Sequence, residues 1–379
     1  MGLLDLLGFD EAIREPVECK IEVDGAEISD LYPQLLQATV TMKRSAPAEG
    51  SLVFDSFREM DGDWIVQDSG LLETWKPIVL TAVFGDREME VIRGYITEIN
   101  TSYPESMGAA QVTVNIQDDS VLLDREQKRV TRSTEEEPKT DGIIATEIAS
   151  EYNLTSEAAT GISNKSLLQQ KTDYRFLSDR AKANGFELLF REGNLYFGPS
   201  QLEGEPQSTI KVYAGDQTNC MAFDVVNDGH KPDQIRIARS NEEGQGTSEE
   251  VYTSNLKVLG STQADSTNSG LGDFVWEMEQ GQGGTEEEVN ARAQASANEN
   301  AWKIQATGEL DGVLYGYVLY SHQTVVVDGI GSTQGGLYYV DEVVHEFTAK
   351  GYKQKFKLLR NASGEDEFSA VLDVLAGVV

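Results

Sequence analysis

The strongest constraint on the fold of this chain is a strict two-residue hydrophobic period near its N-terminal third. Val112, Val114 and Ile116 alternate with Thr113, Asn115 and Gln117. Cys19, Ile21 and Val23 alternate with Lys20, Glu22 and Asp24, and Ala38, Val40 and Met42 with Thr39, Thr41 and Lys43. Successive side chains of a strand point to opposite faces, so this pattern predicts half-buried strands with one wet face. More continuous apolar runs, Ile78 to Phe84 and Met89 to Ile99, flank a Gly85-Asp86 turn. At least six strands within about 100 residues, joined by short loops, predict a barrel or sandwich.

The alternation stops near Glu135-Glu136-Glu137-Pro138, a solvated linker. Ile144, Ile148 and Tyr152 then fall four apart, with Asn153 as a stop, and Tyr174, Leu177 and Ala181 line a second helix with Phe176 beside them. Asp173 is the expected N-cap of that helix and Asn184-Gly185 its C-terminus. Phe186 to Phe190 and Leu195 to Phe197 flank a Gly193-Asn194 turn, as in a β-hairpin. Strand signals resume near Ile210 and at Ile235 and Ile237; residues 241–285 read as long loops or an extended hairpin. Thr285 and Glu288 make a capping box opening an alanine-rich helix, whose stripe runs Val289, Ala293, Ala297, Ala301 and Ile304, with Trp302 continuing it. Strands follow at Val325–Val327 and Leu337–Phe347. In the last run Tyr352, Gln354, Phe356 and Leu358 face one way, and Lys353, Lys355 and Lys357 face solvent or a partner.

The fold class is therefore mainly β with an α+β insertion. The expected organisation is an N-terminal docking helix (1–16), a first β-barrel-like domain (17–137), the α+β module (138–200), a second β-barrel-like domain carrying the alanine-rich helix (201–362), and a C-terminal amphipathic helix (363–379). The two end segments are apolar stripes with little of their own to bury against: Leu3, Leu6, Leu7 and Phe9 at one end, Phe368, Val371, Leu372 and Leu375 at the other. These are the candidate docking residues.

Charge narrows the function. Asp and Glu number 64 against 31 Lys and Arg, a formal net charge of −33 in 379 residues. That argues against a nucleic-acid-binding footprint and against binding anionic membranes. Solubility accounts for such a surface, and so does a halophilic host, where salt near 1 M screens charge over about 3 Å. Cys19 and Cys220 are too few and too isolated for a disulfide framework or a zinc site; Cys19 reads as a buried strand position. No long apolar run suggests membrane insertion, and the N-terminus lacks the basic flank of a signal peptide.

Candidate chemistry is sparse. His230, His322 and His345 share no ligand spacing, and His345 reads as structural. Neither G-x-S-x-G nor H-E-x-x-H occurs. Gly329, Gly331, Gly335 and Gly336 read as a hairpin loop and not as a phosphate loop. Paired carboxylates for glycoside hydrolysis can be nominated anywhere among 64 acids. Trp64, Trp75, Trp276 and Trp302 are a conceivable sugar platform, more simply explained as core or interface. The expectation is no cofactor, no metal and no enzyme.

Two segments carry a resemblance. Asp173 to Glu187, with Tyr174, Phe176, Leu177, Ala181, Gly185 and Phe186, continues to Gly193, Tyr196 and Phe197. It resembles the "D-x-x-F-L-x-x-L-A-x-x-x-G-F" helix and "G-x-L-x-F" hairpin of the late control protein D family, the tail hub proteins of contractile phages. Arg180 stands where that pattern has an apolar residue. Gly336, Tyr338, Val340, Val343 and His345, then Gly351, Tyr352 and Arg360, look like the family's closing hairpin. Asp311 to Tyr320 departs from the family's lead-in to it. The resemblance implies the fold of the T-even phage hub and of the N-terminal part of type VI secretion spike proteins. It also implies a homotrimer whose two barrel-like domains per subunit form a pseudo-six-fold ring. Its partners would be the tail tube protein, the spike protein and baseplate wedge or other baseplate components, in a virion tail or injection particle assembled in the host cytoplasm. The acid excess would partly line the central channel. A surface glycan-binding β protein and a tail-associated glycan hydrolase are the alternatives.

Overall fold

A computed structural model describes residues 16–105, 110–240, 247–265, 270–278 and 285–364. The candidate docking residues at both chain ends lie outside these.

The first half of the molecule is built from β1 (Val17–Val23), β2 (Ala26–Glu27), β3 (Leu35–Lys43), β4 (Ala46–Ser56), β5 (Pro77–Phe84), β6 (Arg87–Ser102) and β7 (Ala110–Asp118). The alternating positions behave as the period requires. Ile21, Ala38, Val40, Leu52, Phe54, Val114 and Ile116 are buried in one core, and their neighbours face away. Cys19 is largely buried, which pushes its thiol up to about 12.

The chain then makes α1 (Ser120–Leu123), β8 (Val130–Ser133), β9 (Lys139–Thr140), α2 (Asp141–Glu151), β10 (Thr155–Ala158), β11 (Ser163–Asn164), β12 (Leu167–Gln169), α3 (Asp173–Asn184), β13 (Glu187–Arg191) and β14 (Asn194–Gly198). These surround a separate core of Leu123, Ile144, Ile148, Phe176, Leu177, Phe190, Leu195 and Phe197. The module starts earlier than the expected residue 138. Leu123 already belongs to its core, and β8 and β9 pair with β12 and β11 across the acidic stretch. Glu135 to Pro138 themselves form an exposed bend between β8 and β9.

The second half comprises β15 (Gln207–Lys211), β16 (Cys220–Asn227), β17 (Gln234–Ser240), β18 (Thr247–Thr253), β19 (Thr262–Gln263), β20 (Val275–Glu277), α4 (Glu286–Ala301), β21 (Ile304–Asp311), α5 (Gly312–Tyr315), β22 (Thr324–Asp328), β23 (Gly336–Thr348), β24 (Gly351–Arg360) and β25 (Ala362–Ser363). Its core gathers Ile210, Leu310, Val325, Tyr338, Val340, Val343, Phe356 and Leu358. From residues 241–285, β18 pairs antiparallel and β20 parallel with β17, whose Ile235 and Ile237 bury against Ala293 and Ala297 of α4.

The two barrel-like halves share one sheet. One curled 13-stranded sheet runs β16-β21-β24-β23-β3-β4-β7-β6-β5-β1-β2, with β22 and β15 branching from β23. The seam is β23 on β3, where Val343 faces Met42 and Phe347 faces Ala38. The β23–β24 hairpin crosses it: Val340, Val343 and Phe356 belong to the second core, while Phe347 and Tyr352 at its tip belong to the first.

Candidate functional site

The closing hairpin and the helix-hairpin module both form as local chemistry requires. The capping box is complete: Glu288 N–H donates to Thr285 Oγ1 and Thr285 N–H to Glu288 Oε2, each at 3.2 Å. Two readings of these ends are corrected. Thr172, not Asp173, caps α3, its hydroxyl accepting from Arg175 N–H at 3.3 Å. Asp173 is drawn instead into a buried cluster, accepting from Lys128 Nζ and Arg132 Nη2 at 2.6 Å each and from Tyr152 Oη at 2.7 Å. Burial raises its pKa, and those donors outweigh it, so the net shift is downward. Trp302 ends α4 and does not continue it; it stacks on Tyr339 at 5.8 Å, and Ile304 belongs to β21.

The family-motif residues fall into two packing groups. In the module, Phe176, Leu177, Ala181, Tyr196 and Phe197 are buried, Tyr174 lies against Phe190 at 6.4 Å, and Phe186 meets Phe197 edge-on at 5.4 Å. Burial raises the Tyr174 and Tyr196 phenols to about 12. Gly193 takes φ +73 in the hairpin turn. Gly185 takes φ +67, and a Cβ there would stand 2.7 Å from that of Ala295, so glycine lets α3 approach α4. In the closing hairpin Tyr338, Val340, Val343, His345, Tyr352 and Arg360 are buried, and Gly336 and Gly351 take φ +117 and +113. His345 Nδ1 lies 2.8 Å from Tyr352 Oη, and burial lowers its pKa to about 3. Arg360 donates to the carbonyls of Leu259 (2.8 Å), Gln334 (2.9 Å), Gly335 (2.7 Å) and Gly364 (2.6 Å), locking the loop before β23.

The two groups meet at residues that sequence reasoning passed over. Arg44, in the β3–β4 turn, reaches Asp341 of β23 (Nε, 3.1 Å), Glu299 of α4 (Nη2, 2.9 Å) and Glu187 of β13 (Nη1, 3.6 Å). Glu187 in turn accepts from Tyr339 Oη at 2.5 Å. His322 Nε2 lies 3.2 Å from the Arg44 carbonyl oxygen. One guanidinium thus ties the first half, the module, helix α4 and the second half together. Burial lowers its pKa, and the three carboxylates more than offset that, so it stays charged. A second guanidinium explains the departure from the family pattern. Arg180 grips buried Asp141 at 2.8 and 3.0 Å and reaches Glu288 of the capping box at 2.7 Å, fastening the module to α4. No local signal marks either residue, since the partners lie far along the chain.

The sheet face turned away from the cores is rich in polar side chains. Paired residues share a face. It therefore runs from Glu309 and Thr307 through Lys355 and Lys357, then Glu346, Val344 and Glu342, to Thr39, Thr41 and Lys43, Ser51 and Glu49, Asn115 and Gln117. In the first half it forms an open concavity lined by Thr39, Thr41, Glu49, Ser51, Thr97, Asn115 and Gln117. In the second half the lysine row is paired: Lys353 with Glu309 at 2.5 Å, Lys355 with Glu346 at 2.8 Å and Lys357 with Asp341 at 3.0 Å.

Signs of chemistry are few. Two adjacent carboxyls are raised by burial, Asp118 to about 7 and Asp119 to about 6. Asp118 is fully buried and accepts from Ala48 N–H (2.6 Å) and Ser120 N–H (3.0 Å), fixing the exit from β7 into the module. Among the described residues no cluster of three His, Cys, Asp or Glu is placed to hold a metal, and no helix is long and apolar enough to cross a membrane. Trp64 meets Tyr103 edge-on, Trp75 lies under Arg125, Trp276 meets Phe274 edge-on and Trp302 is buried, so the tryptophans form no common platform.

The profile of the family described as the Alg8 N-terminal domain matches residues 14–349. None of the curated proteins matches this chain. Among solved structures, the 43 kDa tail protein of prophage MuSo2 from Shewanella oneidensis superposes with a TM-score of 0.63 at 13% identity, over 91% of this chain and 98% of its own. A tail protein from Neisseria meningitidis gives 0.59 at 12%, over 92% and 97%. An Escherichia coli component of the type VI secretion system gives 0.52 at 12%, over 93% and 78%. The fold is thus that of phage tail proteins, as the motif resemblance implied.

Proposed function

Starting from a chain that belongs to the Alg8 N-terminal domain family and has the fold of phage tail proteins, we propose that it is a structural hub subunit of a contractile tail or related injection particle, of the late control protein D type. The observation that carries this is the single sheet in which two curled halves, each with its own core, join at β23 and β3. A subunit with two similar lobes gives a trimer six lobes. That ring matches a six-fold tube on one side and a three-fold spike on the other, with closed complementary interfaces. Likeness over nearly the full length of two tail proteins supports the same reading.

In this arrangement the polar sheet face walls the channel. Its second half is neutralised by lysine–carboxylate pairs and its first half is mostly hydroxyl and amide groups. The paired charges and the hydroxyl and amide groups of this stretch offer a passing polymer few sites to stick to. We take the protein to be no enzyme: the two raised carboxyls are accounted for by burial, and Asp118 is committed to backbone donors. Tube, spike and other baseplate proteins are the partners, in a particle assembled in the host cytoplasm.

Light scattering on the purified chain, at low salt and at about 2 M salt, tests the reading. A mass near three times 41.7 kDa is expected. Trimer only in high salt adds support for a halophilic host. A monomer that also fails to trimerise with its spike protein contradicts the hub and favours a glycan-binding protein.

A further inference from the structure

We propose that the hairpin Phe57–Val66 is a preformed docking finger that inserts into a basic-rimmed apolar pocket on a different protein of the same particle; this rests on the hub reading above. The hairpin is held by Glu59 N–H to Asp63 O (2.8 Å) and Ile65 N–H to Phe57 O (3.2 Å), with Gly62 at φ +105 in its turn. Its base is fixed. Val66 is buried, Asp68 accepts from Trp64 N–H at 2.7 Å, and Ser56 Oγ bonds Gln67 at 2.5 Å. A finger held in one shape avoids most of the ordering cost of binding.

What it presents is unusual for a solvent loop. Met60 at the tip is fully exposed, Phe57 on one side is 45% exposed, and Trp64 on the other side packs edge-on against half-exposed Tyr103. Large flexible or aromatic groups of this kind anchor interfaces when a pocket receives them. Around them stand Glu59, Asp61, Asp63 and Asp68, all exposed, against a single cation, Arg58, whose Nε is occupied by the Gly62 carbonyl at 2.6 Å. The complementary surface carries lysines or arginines around an apolar hole. A second copy of this chain is a poor candidate. It bears a formal −33, and the row Lys353, Lys355 and Lys357 is already paired with its own carboxylates. Charge of this sign also steers the encounter, so the contact weakens with salt.

The test places a photoreactive benzophenone amino acid at position 60 of the full chain, assembled into particles. Recovery of the chain in purified particles is scored first; its absence overturns the hub reading and this proposal with it. With the chain present, crosslinks from position 60 to a lysine- or arginine-containing peptide of another particle protein are expected. Their yield should fall at least several-fold in the Asp61→Asn/Asp63→Asn variant or when the particles assemble in high salt. Crosslinks to this chain itself, crosslinks indifferent to both changes, or none overturn the finger while leaving the hub intact.

Discussion

The two halves of the sheet present opposite solutions on the same face. In the first half, Thr39, Thr41, Ser51 and Asn115 expose hydroxyl and amide groups and little charge. In the second, lysines 353, 355 and 357 alternate with carboxylates and cancel them. From β24 to β7 this face carries few unpaired charges, whereas over β6, β5 and β1 it continues through Glu98, Glu88, Glu22 and Glu18. The halves also differ in what they bury. The first encloses a carboxyl, Asp118, and the seam to the second an imidazole, His345. Arg44 adds an ion-paired tie to the β3–β23 pairing that joins them.

The largest expected effect follows from cutting that junction. Arg44→Ala leaves Glu187 and Asp341 without their shared cation, and Glu187 is only 5% exposed. Removing one partner of a buried ion pair costs about 3–5 kcal/mol. Chemical denaturation should report that loss. A wild-type midpoint would show that the halves hold together through the β3–β23 pairing alone.

Next comes pH. Folded His345 stays neutral down to about 3, whereas the unfolded chain takes up its proton below about 6.5. The unfolded state therefore binds more protons in that window, and stability falls as pH falls through it. Asp118 acts in the opposite direction. Folded, it keeps its proton to about pH 7; unfolded, it loses it near 4, so stability falls as pH rises from about 4 to 7. His345→Gln should flatten the acid limb of the stability curve and Asp118→Asn the limb toward neutrality. Unchanged slopes would mean that neither group titrates as its burial dictates.

The smallest effect belongs to the outer face. Lys355→Gln frees Glu346 and should cost no more than about 1 kcal/mol, because exposed ion pairs contribute little. Thr41→Lys should be equally mild for the monomer. If the face walls a channel, both changes leave thermal stability nearly untouched and alter passage of a charged polymer instead, read as cargo delivery by assembled particles.

Much of this was legible from local pattern. Alternation at Val112–Ile116 and Ala38–Met42 assigned the faces correctly, and the Thr285–Glu288 box and Gly185 placed helix ends, because each depends on neighbours within a turn. The choice of Thr172 over Asp173 as cap was not legible. Both residues cap well, and what decides is the pull of Lys128 and Arg132 on Asp173, distant in sequence. The same holds for Arg44, whose partners Glu187, Glu299 and Asp341 lie on three other units, and for Arg180, whose departure from an apolar pattern is explained only by Asp141 and Glu288. The single sheet was hidden for a related reason. Each strand of the seam looks like any half-buried strand, and only the β3–β23 register shows that two barrel-like halves are one surface.

Electron cryo-microscopy of the assembled protein tests the central claim most directly. The account predicts a three-fold ring of six similar lobes around a channel walled by the face carrying Thr41, Asn115 and Lys355. A ring with a different subunit number, or a three-fold ring with that face turned outward to solvent, would contradict it.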